Sequence, residues 1–166
     1  DIKEMTAMLN SYVSFVRGGT PETIENINLN DMIKNICNSN FSENHQIKDI
    51  HKNNVETSGR PIQIKRAIQN IIDNAKRYAS KINIEVYSSD QECFISIEDN
   101  GNGIPEKNYE DVFKPFFTLD PSRNKLKGES GLGMTITRDI IRSHGGEVKL
   151  LKSRMGGLKS LISLPL

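Results

Sequence analysis

Residues 61–105 read PIQIKRAIQNIIDNAKRYASKINIEVYSSDQECFISIEDNGNGIP, and a change of period inside this stretch decides the fold. Ile64, Ala67, Ile68, Ile71 and Ala75 recur at the three- and four-residue spacing of one helix face. Pro61 suits a first helical turn, where its missing N–H leaves no bond unmade, so a helix is expected from there to about Ala79. The period then falls to two. Ile82, Ile84 and Val86 alternate with polar residues, as do Cys93, Ile95 and Ile97. Ser88-Ser89-Asp90-Gln91 separates the two runs, which predicts a β-hairpin.

Toward the C-terminus a further helix is expected from about Met134 to His144, stopped by Gly145-Gly146. A last hairpin, Glu147–Lys152 and Leu158–Leu164, turns at Gly156-Gly157. Toward the N-terminus, residues 41–57 are polar, with two short strands expected around Ile47–Ile50 and Asn54–Thr57. Asn30-Asp31 begins a short helix with Ile33, Ile36 and Cys37 on one face. Helices and strands are mixed and consecutive strands lie in hairpins. An α+β two-layer sandwich fits this order better than a doubly wound parallel sheet.

The N-terminus carries a different pattern. Ile2, Met5, Leu9, Tyr12 and Val16 form a heptad seam, widened by Met8, Val13 and Phe15 and closed by Gly18-Gly19-Thr20-Pro21. A lone helix of this length is marginal in water, so the seam predicts a bundle or dimer contact. The chain therefore divides into a helix (1–18), a linker (19–27) and a main domain (28–166). Because it begins mid-helix, it reads as a piece of something longer.

Composition narrows the partners. The 22 Lys and Arg against 21 Asp and Glu leave a net charge of +1, with no general electrostatic case for nucleic acid or a membrane surface. No apolar run approaches the roughly 18 residues that a membrane span needs. Cys37 and Cys93 stand far apart, as expected of two free thiols in a reducing compartment.

Four short motifs carry chemistry, and each has a plainer counterpart when taken alone. Asn70, Asn74 and Arg77 fall within roughly 60° of one another on the long helix, with Tyr78 at the edge of that arc. Amide oxygens ligate Mg²⁺ and a guanidinium neutralises phosphate, although a solvated helix flank has the same composition. Asp99-Asn100-Gly101-Asn102-Gly103-Ile104-Pro105 follows a buried strand, where glycines admit a planar ligand and Asp99 accepts from an amino group. It also suits a tight turn. Val112-Phe113-Lys114-Pro115-Phe116-Phe117 is an aromatic knot, expected as a satellite core beneath a loop. Gly131-Leu132-Gly133 opens a helix whose free N–H groups favour phosphate.

In this order and at these spacings the motifs resemble the N, G1, F and G2 boxes of sensor histidine kinases. The resemblance runs from about Asn28 to Leu166, and Asp1–Arg17 is similar to the second helix of that family's dimerisation and phosphotransfer bundle. The first helix and the Asn74-Ala75-Lys76-Arg77-Tyr78 run look most like the osmosensor kinases of the EnvZ type. The implied fold is the one shared with gyrase, Hsp90 and MutL (the GHKL or Bergerat fold), a mixed sheet covered on one face by three helices. The implied cofactors are ATP and Mg²⁺. By matching positions, Asn74 would ligate Mg²⁺, Asn70 would support the ion–phosphate site, and Arg77 and Tyr78 would contact phosphate. Asp99 would accept the adenine amino group in a pocket shaped by Gly101, Gly103 and Ile104. Gly131, Leu132 and Gly133 would present backbone to the phosphates, with Arg123 and Lys125 reaching in from a lid.

Two positions depart from the family pattern. Glu129 stands where relatives place the second glycine of the last box, and Thr118 where they often place Arg after the Phe pair. The phosphoacceptor His with its acidic neighbour is absent. His45, His51 and His144 precede Gln46, Lys52 and Gly145, so no catalytic residue is assigned in this chain. The resemblance implies the phosphotransfer bundle, a homodimer partner and a response regulator as partners. It also implies the cytoplasmic portion of a bacterial inner-membrane protein, with any membrane segment N-terminal to this chain. A GHKL ATPase, an anti-sigma-type serine kinase and a degenerate nucleotide-sensing or dimerisation module share some of these boxes.

Overall fold

The structure, a computed structural model, describes residues 2–3, 5–6, 9–10, 22–51, 53–119 and 131–166. The two alternating runs form strands β4 (Lys81–Ser88) and β5 (Glu92–Asp99), paired antiparallel with Ile84 opposite Ile97 and Val86 opposite Ile95. Strand β5 pairs next with β7 (Leu158–Pro165), and β7 with β6 (Glu147–Lys152), both antiparallel. On the other side β4 takes β2 (Gln46–His51) in parallel, giving a five-stranded mixed sheet in the order β2-β4-β5-β7-β6. Alternation buries one face: Ile82, Ile84, Val86, Cys93, Ile95, Ile97, Val148, Leu150, Ile162 and Leu164 all enter the core.

Helices α1 (Leu29–Ser39), α2 (Pro61–Tyr78) and α3 (Gly133–Ser143) supply the other half of that core. Helix α2 buries Ile64, Ala67, Ile68, Ile71, Ile72 and Ala75, one residue more than the apolar face expected from its sequence. Helix α3 buries Met134, Ile136, Ile140 and Ile141, and its Thr137 hydroxyl donates to the Ala67 carbonyl at 3.2 Å where the two helices meet. This is the α+β sandwich expected from the sequence.

Three details differ from the sequence reading. A short strand β1 (Glu25–Asn28) pairs antiparallel with β3 (Glu56–Gly59) in a separate two-stranded sheet, so neither β1–β3 nor the parallel β2–β4 pair is a local hairpin. Among the described residues, consecutive strands form hairpins only at β4–β5 and β6–β7. Helix α1 is capped by Asn28, whose side chain accepts from Asp31 N–H at 3.1 Å, rather than starting at Asn30. Asn30 is buried instead, donating to the Asn53 carbonyl and accepting from Val55 N–H at 2.8 Å each. Several asparagines compete for the same cap, and only the path of residues 53–55 decides between them.

At the N-terminus residues 2, 3, 5, 6, 9 and 10 are helical, and Ile2, Met5 and Leu9 of the heptad seam are exposed. Its other members Tyr12 and Val16, with Met8, Val13 and Phe15, lie outside the described residues. Among the described residues no helix is long and apolar enough to cross a membrane. Ile84 is fully buried at the centre of the sheet. Ile84→Ala should lower unfolding free energy by about 2–5 kcal/mol, read by urea titration followed by circular dichroism. A loss below 1 kcal/mol would contradict the packing described.

Candidate nucleotide site

The motifs converge on one cleft of ≈ 340 Å³. Asn70, Asn74, Arg77 and Tyr78 line it from α2, Asp99, Gly103 and Ile104 from the end of β5, and Gly131 and Gly133 from the start of α3. Gly101 and Leu132 stand just behind that lining: Gly101 donates its N–H to Asp99, and Leu132 is buried at the N-cap position of α3. Arg123, Lys125 and Glu129 lie outside the described residues.

Asp99 is the fixed point at one end. Its Oδ1 accepts from Gly101 N–H at 2.9 Å and Leu158 N–H at 3.2 Å, and its carbonyl accepts from Gly157 N–H at 3.1 Å. Burial raises the carboxyl pKa above its ordinary value, and the two amide bonds pull against that rise. Next to it, Asn100 ties the end of β5 to the start of β4, its Oδ1 accepting from Ser80 and Lys81 N–H at 3.0 and 2.9 Å. A desolvated carboxylate with one oxygen held by backbone, in a cleft also lined by apolar Ile97 and Met134, suits an amino donor on a flat ligand.

The last hairpin contributes residues that the sequence did not mark. Leu158 and Ser160 line the cleft, and a Cβ on Gly157 would collide with Asp99 Oδ1 and sit 2.6 Å from Gly101 N. The sequence read Gly156-Gly157 only as a turn. A signal was nevertheless there: Gly156 takes the left-handed conformation at φ 100°, whereas Gly157 is required for space alone. A turn explains one of the two glycines.

The other end of the cleft is polar and held differently. Asn70 Nδ2 donates to the Gly133 carbonyl at 3.3 Å, joining α2 to the start of α3. Arg77 donates to Asn74 Oδ1 at 2.8 Å, so the amide oxygen expected at a metal already faces a cation. Among the described residues no side chain caps α3, and the dipole of its first turn favours an anionic ligand. Oxygen donors beside uncapped amides and a guanidinium are chemically suited to phosphate with a hard cation.

Between the two ends the aromatic knot splits. Phe113 joins the core, with the Arg138 guanidinium 4.4 Å over its ring and its carbonyl accepting from the Thr135 hydroxyl at 2.8 Å. Phe117 lines the cleft, while Phe116 is 49% exposed, so a single satellite core describes Phe113 only. Phe116 adopts φ 63°, unusual for a bulky residue, and donates its N–H to the Gly131 carbonyl at 2.8 Å. Gly131 itself has φ 76°, and a Cβ there would meet Phe116 Cα at 2.8 Å. Thr118 lines the cleft with a buried hydroxyl that has no hydrogen-bond partner among the described residues.

Comparison with known proteins places this geometry. Residues 59–166 match the family of histidine kinase-, DNA gyrase B- and HSP90-like ATPases. The sensor histidine kinase GtrS of Pseudomonas aeruginosa is 29% identical across 99% of this chain and 34% of its own length. The sensor histidine kinase CpxA of Escherichia coli is 36% identical across 65% of this chain and 24% of its length. This chain thus spans about a third or less of these relatives. Among solved structures, the catalytic domain of histidine kinase ThkA superposes with a TM-score of 0.75 at 26% identity, covering 86% of this chain and 95% of that one. Full-length ShkA in complex with AMPPNP shares the fold at a TM-score of 0.82 and 14% identity, over 97% of this chain and 35% of that one. With a family match over most of its length, a sandwich like that of ThkA and relatives that are sensor kinases, the chain belongs to the histidine kinase-, gyrase B- and HSP90-like ATPases, on the sensor histidine kinase side.

Proposed function

We propose that this chain is the ATP-binding catalytic part of a two-component sensor histidine kinase, and that it transfers the γ-phosphate of ATP to a histidine supplied by another domain. The observation that carries this reading is the buried Asp99 carboxylate, held by two backbone amides at one end of a cleft whose other end gathers Asn70, Asn74 and Arg77. Asp99 accepts from the adenine amino group, with Gly101, Gly103 and Ile104 shaping the pocket and Gly157 keeping the carboxylate in place. Arg77 and Tyr78 meet the phosphates from α2, and the backbone of Gly131, Leu132 and Gly133 meets them from the start of α3. Arg123 and Lys125 reach the same phosphates from residues 120–130.

Asn74, supported by Asn70, is the residue that would hold Mg²⁺, which would offset the charge of the phosphates. Among the described residues no three His, Cys, Asp or Glu side chains stand together. Arg77 exchanges its bond with Asn74 for a phosphate when nucleotide enters. The chain's contribution is positioning and charge neutralisation.

The acceptor is not one of this chain's described imidazoles. His45 lies between the Ser42 hydroxyl at 3.0 Å and the Lys76 carbonyl at 2.7 Å. His144 lies between the Ile140 carbonyl at 2.7 Å and Arg60 N–H at 3.0 Å. Both rings have both nitrogens engaged, so neither presents a free nucleophile. The phosphoacceptor belongs to a helical bundle that the seam beginning at Ile2, Met5 and Leu9 would join, in a homodimer of a membrane-anchored parent whose catalytic part is cytoplasmic and which passes phosphate to a response regulator.

Titration calorimetry with a non-hydrolysable ATP analogue tests the reading, with binding expected and tightened by Mg²⁺. Asn74→Ala should remove the Mg²⁺ enhancement while leaving Mg²⁺-free binding nearly intact; normal enhancement in that variant would rule Asn74 out as the ligand. Asp99→Asn should weaken the analogue strongly. Because burial raises the Asp99 pKa, its charge opposes folding at neutral pH, and that cost disappears as pH falls through the raised value toward about 4. Asp99→Asn should accordingly be at least as stable as the parent at pH 7, an advantage that shrinks near pH 4 in urea titrations. A variant binding the analogue like the parent would sink the adenine assignment. Incubated with γ-labelled ATP, the chain alone should acquire no acid-labile phosphate; robust labelling at His45, His51 or His144 would overturn the assignment of the acceptor to another domain.

A further inference from the structure

Helix α2 begins without help from its own sequence. Its N-cap residue Arg60 makes no side-chain cap, Pro61 has no N–H, and no acidic residue stands in the first turn. The amides are satisfied from elsewhere. Ile62 and Gln63 donate to the two carboxylate oxygens of Glu22 at 2.6 and 3.2 Å, and Arg60 N–H donates to His144 Nε2 at 3.0 Å. Ile64 N–H then makes the first ordinary helical bond, to the Arg60 carbonyl at 3.0 Å. Every N-terminal donor of α2 is thus accounted for, and Glu22 serves two of them from 40 residues upstream.

The location of this carboxylate gives it a consequence beyond capping. Glu22 lies in the stretch expected to link the N-terminal helix to the domain, just before β1. Helix α2 presents Asn70, Asn74, Arg77 and Tyr78 to the cleft. A negative charge on the positive end of a helix is favourable, and two charge-assisted bonds fix its orientation. A helix is stiff along its axis, so what holds its first turn also sets how its later turns meet the cleft. We propose that Glu22 is a positioning residue that clasps the lead-in segment to α2, so that the placement of that segment and the affinity of the nucleotide site are coupled. The proposal rests on the nucleotide-binding reading of the cleft. Coupling is reciprocal: if release of Glu22 weakens nucleotide binding, bound nucleotide must tighten the clasp.

The test combines site-resolved amide exchange with calorimetry on the full chain and its Glu22→Ala, Glu22→Gln and Glu22→Lys variants. Without nucleotide, Glu22→Ala should speed exchange at Ile62 and Gln63 by about fivefold to tenfold, the scale of a lost cap, and leave Ile84 and Ile95 in the central strands unchanged. Glu22→Gln retains one acceptor oxygen and should recover part of the protection, whereas Glu22→Lys should lose more than Glu22→Ala. Affinity for the non-hydrolysable analogue with Mg²⁺ should fall in the same order. In the parent, bound analogue should slow exchange at Ile62 and Gln63 by a factor similar to the affinity lost in Glu22→Ala. Unchanged exchange in Glu22→Ala overturns the clasp. Faster exchange with parental affinity and no ligand protection overturns the coupling and leaves a local cap. If the parent itself fails to bind the analogue, the functional reading falls and the coupling with it, while the nucleotide-free exchange still reports on the clasp.

Discussion

A carboxylate removed from water at the end of a central strand constrains much of what surrounds it. Asp99 is 8% exposed, and its Oδ1 takes N–H groups from two separate segments, Gly101 just after β5 and Leu158 at the start of β7. Leaving those lone pairs unserved in a desolvated site would cost about 1–3 kcal/mol, more for a charge. The β6–β7 turn must therefore fold back over β5. It is fastened on the neighbouring residue as well, where buried Glu98 accepts from the Ser153 hydroxyl at 3.2 Å and Arg154 N–H at 3.3 Å. Two adjacent carboxylates on opposite faces of one strand thereby grip one turn. Gly157 is the residue through which that grip is possible, since any side chain there would occupy the space of Asp99 Oδ1.

The two ends of the cleft are built on different principles. The Asp99 end is set by backbone amides and van der Waals limits, which leave little freedom. The α2 end is set by side chains that bond to one another: Arg77 to Asn74, and Asn70 to the Gly133 carbonyl. The Arg77 bond can be exchanged for a bond to an anionic ligand at small net cost, because one charge-assisted contact replaces another. Rigid recognition of a flat group and adaptable recognition of a flexible, charged one can therefore share a single cleft. The guanidinium also occupies the Asn74 oxygen, so whatever binds one of these two side chains bears on the other.

The regular layers were legible because each rests on local periodicity. Ile82, Ile84 and Val86 against Cys93, Ile95 and Ile97 need no distant information, and neither does the apolar face of α2. What escaped was what depends on two remote segments. Strand β1 has only four residues and pairs with β3, and its sequence Glu25-Asn26-Ile27-Asn28 carries one apolar residue. Nothing within it favours a strand. Asn28 rather than Asn30 caps α1 because residues 53–55 claim the Asn30 side chain. Asn70, Asn74, Arg77 and Asp99, which share one cleft, were marked through the order of motifs that resembles the boxes of sensor histidine kinases, since each pattern taken alone had a plainer reading. Gly157, Leu158 and Ser160 were not, because a hairpin's own sequence does not say what it folds against.

The same distinction explains how Phe116 and Gly131 meet. They are joined backbone to backbone, Phe116 N–H on the Gly131 carbonyl, with a positive φ at both. That conformation is costly for a bulky residue such as Phe116, on the order of 1–3 kcal/mol, and persists only where neighbours over-determine it. Here the neighbours are visible. Phe113 is held in the core under Arg138, Thr135 bonds its carbonyl, and Gly131 has no Cβ to push Phe116 away. Phe116 and Gly131 thus both rest on α3, the first through Phe113 and the second by continuity with Gly133.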